Sequence, residues 1–243
     1  MSFLILSIIV QVALIVHVVK TGRNQIWIWV LALLSLPGAI AYIAVEIVPE
    51  LFRSRTAQRA ARGLRKAVDP ARELRRYESE ARVAGNVASR QRYAQELVRH
   101  ERYEEAIGQY REALTGLYEH DPNLMLGLAQ AQFGKGDASA ARATLDELIR
   151  RNPDFRSPAG HLLYARALEA EGNVPKALEE YAVLAPSYPG AEASVRYAQL
   201  LQAQGRRAEA QKVARELLEQ ARIAPGHYRR AQRPWLDAAQ RLL

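Results

Sequence analysis

The chain has 243 residues, a formal net charge of +8 and no cysteine. Disulfide scaffolds, thiolate metal sites, thiol nucleophiles and dithiol redox motifs are thereby excluded, while the length accommodates one or two domains or a repeat array with a continuous core. The basicity is local: residues 53–82 hold ten Lys and Arg against four Asp and Glu, a net of +6 that leaves +2 for the remainder. Placed beside an apolar segment, that charge points to anionic lipid headgroups, and a nucleic-acid groove is not expected.

From Phe3 to Val19 the sequence FLILSIIVQVALIVHVV is an uncharged run of 17 residues, and Ile26 to Val48 is a run of 23 whose one charge is Glu46. A bilayer core takes roughly 20 helical residues, with about 17 tolerated, so each run is expected to span. The polar turn KTGRNQ between them makes residues 1–50 a two-helix transmembrane hairpin, with Trp27, Trp29 and Tyr42 where aromatic belts occur. A cleaved signal peptide is the competing reading, but a basic leader and a small-residue cleavage site are both missing. Buried helices of a water-soluble core would show a polar face, and neither run does. Gln11 and His17 read as groups satisfied within the hairpin or near the interface, with Ser35 as a candidate partner for Gln11.

The segment GRNQIWIWVLALLSLPGAIAYIAVEIVPEL carries an Arg23-Asn24 turn, Trp27 at the start of the run, Pro37-Gly38 in its middle and Ala41-Tyr42 just beyond. On these residues the first fifty positions resemble the N-terminal membrane region of bacterial cardiolipin synthases and related phospholipase D-type proteins. The resemblance implies a bacterial membrane anchor. It does not extend to the chemistry, which in that family rests on His-x-Lys motifs: none of His17, His100, His120, His161 or His227 has Lys two residues later.

Residues 51–85 read as a basic helical connector, with Arg53, Arg55, Arg59, Arg62, Arg65 and Lys66 interleaved with small residues and Asp69-Pro70 breaking the pattern. Such a stretch suits a membrane surface, and a solvated spacer is the alternative. Those six cations outweigh Lys20 and Arg23 in the turn, so the positive-inside rule places the rest of the chain in the cytoplasm, beneath an inner membrane.

Four eighteen-residue blocks then align without gaps, beginning at Tyr93, Leu128, Tyr164 and Tyr197, that is 35, 36 and 33 residues apart. Each opens on a large residue and an alanine (Ala94, Ala129, Ala165, Ala198) and places a second alanine twelve residues on (Ala106, Ala141, Ala177, Ala210). Small residues at these points let two helices approach closely. Tyr110, Leu145 and Tyr181 follow as packing knobs, with Ala214 in the last block, and then Ala113, Leu148, Leu184 and Leu217. Gly136, Gly172 and Gly205 mark the turns inside three blocks, whereas the first has Glu101 and is expected to turn differently. Pro122, Pro153 and Pro189 are expected to stop the second helices.

These residues resemble the tetratricopeptide repeat family over residues 86–224. The fold class is therefore all-α: a hairpin, then an α-solenoid of about four helix pairs, then a capping helix over 225–243. In that family the first helix of each pair lines a concave groove that binds a protein or an extended peptide. The resemblance carries the groove onto Gln91, Gln95 and Arg99; Leu126, Gln130 and Phe133; Leu162, Arg166 and Glu169; and Val195, Gln199 and Gln202. The set lacks the Lys and Asn clamp by which some members hold a C-terminal carboxylate.

No Walker loop, HExxH pair, nucleophile elbow or dinucleotide turn is present, and the carboxylates fall beside Arg or Lys on polar helix faces, so neither catalysis nor a cofactor is expected. Two functions remain open. One is a scaffold recruiting a protein or peptide to the cytoplasmic face of the membrane; the other is a non-catalytic regulator of a membrane lipid enzyme acting through the hairpin.

Overall fold

The computed structural model describes residues 2–21, 24, 26–47 and 71–243, and every regular element among them is helical. They fall into two compact units, Met1–Arg72 and Glu73–Leu243. The connector cations Arg53 to Lys66 lie outside the described residues.

In the first unit, α1 runs Ser2–Thr21 and α2 runs Ile26–Tyr42, continuing as a π-helical turn over Ile43–Ile47. The second run is not one straight span. Trp27 stacks edge-on against Tyr42 at 5.3 Å, and its indole N–H donates to Glu46 at 3.1 Å. A straight helix would hold those backbone positions roughly 22 and 28 Å apart at 1.5 Å per residue. The chain therefore folds back between Val30 and Gly38, where a Cβ on Gly38 would sit on the Val30 carbonyl oxygen, and Pro37, which has no N–H to give to the helical ladder, lies in that stretch. Among the described residues no helix is both long and apolar enough to cross a membrane, so the expectation of two spans finds no support in these helices.

The fold-back also turns Tyr42 inward. It is buried with Val18, Leu31 and Ala39, and its hydroxyl lies 3.0 Å from His17 Nδ1. The Gln11 amide donates to the Leu31 carbonyl, and the Ser35 side chain, its expected partner, lies outside the described residues.

The second unit opens with α3 (Arg72–Ala84), whose Leu74, Tyr77 and Ala81 pack into the core of the first helix pair. The end of the expected connector is thus part of the array. Four pairs follow: α4 (Val87–Arg99) with α5 (Tyr103–Ala113), α6 (Pro122–Lys135) with α7 (Ala138–Arg151), α8 (Pro158–Ala170) with α9 (Val174–Leu184), and α10 (Glu192–Ala203) with α11 (Arg207–Ile223). A short α12 (Gly226–Ala231) leads to α13 (Arg233–Gln240), which packs on α10 and α11 through Ala238, Ala239 and Leu242.

All eight contact alanines are buried. Tyr110 and Tyr181 are buried as well, and a Cβ added to Gly127 would collide with the Tyr110 ring, so the absent side chain on α6 is the socket for the knob on α5. The intra-pair turns share one hydrogen bond, from an N–H just past the helix end to the carbonyl five residues back: Arg102 to Leu97, Asp137 to Gln132, Asn173 to Leu168 and Arg206 to Leu201, at 2.9–3.0 Å. Gly136, Gly172 and Gly205 supply the left-handed residue at φ 94°, 78° and 78°, and Glu101 takes the same place at φ 59°. The first repeat therefore turns like the others, with a side chain where glycine is cheaper. Pro122 does not stop a second helix either; it starts α6, behind an Asp121 side chain that accepts from the Asn123 and Leu124 N–H groups.

Candidate partner-binding groove

The first helices of the first three pairs touch, α4 with α6 and α6 with α8, more extensively than any two second helices do. The array accordingly curves toward its first-helix side, and the outward residues of those helices form the concave strip.

Ten of the twelve expected groove residues reach the surface of that strip. Gln95, Arg99, Gln130, Gln199 and Gln202 are exposed, and Gln91, Leu126, Phe133, Arg166 and Glu169 are partly so. Leu162 and Val195 are not available: at 5% and 1% exposure they fill the cores of the third and fourth pairs. Their register turns them inward because the interior needs apolar volume between successive alanines.

Three helices build the centre of the strip. The Arg166 guanidinium on α8 lies 4.8 Å over the ring of Phe133 on α6, and its Nη1 stands 3.6 Å from the Glu192 carboxylate on α10. Glu192 accepts a shorter bond, 2.8 Å, from Arg196 Nε, and Arg196 in turn lies 5.5 Å over Trp235 of α13. One carboxylate thus bridges two guanidinium groups, each resting on an aromatic face. Arg166 Nε is buried without a hydrogen-bond partner, so Arg166 is the less completely satisfied of the two.

Around this centre the polar groups are tied down. Tyr181 donates to Glu169 at 2.7 Å, and burial, with the Glu169 contact second, pushes the phenol well above its ordinary range. Burial and then Glu192 also raise Tyr188. At the α4 end, Arg99 donates at 2.7 Å to the buried Glu96. At the other end the 188–190 loop, Gln232 and Trp235 enclose a cavity of about 280 Å³, with the Gln232 side chain accepting from the Ala191 N–H. Among the described residues no cluster of three His, Asp or Glu has metal-binding geometry.

Sequence reasoning missed Glu192, Arg196, Tyr188 and Trp235. Arg196 lies one residue past Val195, on the flank next to the chosen face, and Trp235 comes from the cap, outside the repeat register. A Trp in a helix that must cover α10 was the one signal to follow.

An α-solenoid of close-packed helix pairs with a polar strip on its first helices is the class of structure this geometry defines. Residues 97–163, from the end of α4 into α8, match the family model described as Tetratricopeptide repeat. No curated protein matches the chain. Among solved structures, a thermophilic tetratricopeptide repeat protein of Thermus thermophilus is 19% identical, with 70% of this chain and 86% of that one covered and a TM-score of 0.51. PilF of Pseudomonas aeruginosa is 20% identical over 92% of this chain and 96% of that one, with a TM-score of 0.49. The Thermus likeness shows the fold, a helical-repeat array of the tetratricopeptide type. The resemblance of the first fifty residues to cardiolipin synthases has no counterpart in these matches.

Proposed function

We propose that the protein is a membrane-attached adaptor whose repeat groove holds an extended segment of another protein at the cytoplasmic face of a bacterial inner membrane. One observation carries the reading: a continuous first-helix strip leaves Gln95, Gln130, Gln199 and Gln202 exposed around the Phe133–Arg166 centre. Primary amides both donate and accept, which is what the backbone of an extended peptide requires, and an aromatic ring under a guanidinium is a suitable anchor. Membrane attachment is supported by the first unit. Its hydrogen bonds close inward, while Val12, Val16, Trp29, Leu33, Ile40 and Val45 face outward. The cytoplasmic assignment rests on the six cations from Arg53 to Lys66.

The test is photo-crosslinking from the full-length chain in cells, with the reactive residue at Gln130, at Gln199, or at the exposed Glu216 on α11. Partner adducts from the first two positions and not from the third are expected. Equal adducts from Glu216 would move the site off the groove.

A further inference from the structure

A second cavity, of about 410 Å³, lies on the side of the second helices, between α7 and α9 at the start of α8. Its wall is apolar: Leu145, Leu148 and Ile149 from α7, Phe155 from the connection, Pro158 at the start of α8, and Leu184 from α9. The floor is deepened by Gly160, because a Cβ there would come within 3.3 Å of Leu126 Cδ1, and with none the cavity reaches through to α6. Ile149 stands at the mouth, 55% exposed. The volume is at the lower end of the range for small-molecule sites, about 300–1,000 Å³.

The polar groups in this wall are already engaged. The Ser157 hydroxyl accepts from the Gly160 N–H at 3.0 Å, and the Ser187 hydroxyl donates to the Leu184 carbonyl at 3.3 Å. His161 Nε2 lies 2.7 Å from Glu180, and the Tyr164 phenol is held by Asp146. Arg156 is the exception. It is exposed at the rim, donates to the Pro153 and Phe155 carbonyls, and meets no carboxylate among the described residues.

We propose that this cavity binds a medium-chain aliphatic carboxylate, with the alkyl chain against the α7–α9 wall and the carboxylate on Arg156. Charge complementarity fixes the head group, since Glu180 is occupied by His161 and the spare charge at the rim is a cation. The engaged wall fixes the tail. A peptide backbone entering here would give up its hydrogen bonds to water and find no replacements, whereas an alkyl chain has none to lose.

The probe is a decanoate analogue bearing a diazirine, photolysed with the full-length chain and followed by peptide mapping. Adducts within 145–164 and 180–187, displaced by excess decanoate and not by decanol, are expected. Arg156→Gln should lower that yield about tenfold, the loss of one charge-assisted hydrogen bond. Ile149→Asp, at an exposed position, should lower it as well, and an unchanged circular dichroism melt verifies the fold of both variants. Adducts confined to 1–47 would mean partition onto the first unit and would overturn the proposal. Parent-level yield in Arg156→Gln would do the same, as would displacement by a short apolar peptide with an acidic residue but not by decanoate.

Discussion

The two units of the molecule are organised in opposite senses. The first turns Gln11, His17, Tyr42 and Glu46 toward its own interior and shows Val, Leu, Ile and Trp side chains outside. The second buries alanines, leucines and tyrosines and lines its outside with ion pairs such as Arg102–Glu105, Arg150–Glu147 and Arg206–Glu209. Water accounts for the second arrangement, whereas the outward Val, Leu, Ile and Trp side chains of the first are what the proposed membrane attachment would cover. The difference teaches that an apolar composition does not fix the path of the chain: the first unit has the composition of a hairpin, and its second run folds back on itself.

The largest effect that would break this comparison is on attachment. Replacing the outward Leu33 and Ile40 by Lys should shift the full-length chain from the alkaline-resistant membrane pellet to the soluble fraction, since each lysine costs roughly 2.5–3.5 kcal/mol at apolar depth. A parent protein already washed off by alkali would remove the membrane from the account.

Within the array the expected effects are smaller and act on packing. Ala165→Leu should destabilise the array by about 1–3 kcal/mol through overpacking, read as a lower thermal midpoint, and Gly127→Ala should act in the same direction because Tyr110 occupies the space. Unchanged midpoints for both would mean that the buried sockets are not where the helices meet. Smaller still, and opposite in sign, is Glu101→Gly. Relieving a left-handed residue that carries a side chain should stabilise the first repeat by about 1 kcal/mol, seen as a higher midpoint.

What was legible in the sequence follows the same division. The array was readable because its contacts recur: two alanines at a fixed offset state the packing four times over, and a turn glycine between them marks three of the four repeats. The Glu101 turn was not, since a backbone conformation was inferred from residue type, and the hydrogen bond from Arg102 to Leu97 holds it regardless. The fold-back at Pro37 was hidden because counting apolar residues measures length and not direction. Leu162 and Val195 were assigned to the groove by register, but the register allows either face at that position and the core took both. The Glu192 bridge joins α8, α10 and, through Arg196, the cap, which are contacts between repeats that no single-repeat pattern encodes.

The central claim is that the first-helix strip holds the partner, and Gln130→Ala combined with Arg166→Ala addresses it most directly. Gln130 is exposed, and Glu192 keeps its bond to Arg196 when Arg166 is removed, so the thermal midpoint should stay close to that of the parent. The measurement is recovery of the groove-crosslinked partner with the full-length double variant, relative to the parent chain at equal expression. The account predicts recovery reduced about tenfold or more, as for the loss of an anchoring contact of at least about 1.4 kcal/mol. Recovery equal to the parent's, at an unchanged midpoint, would contradict it.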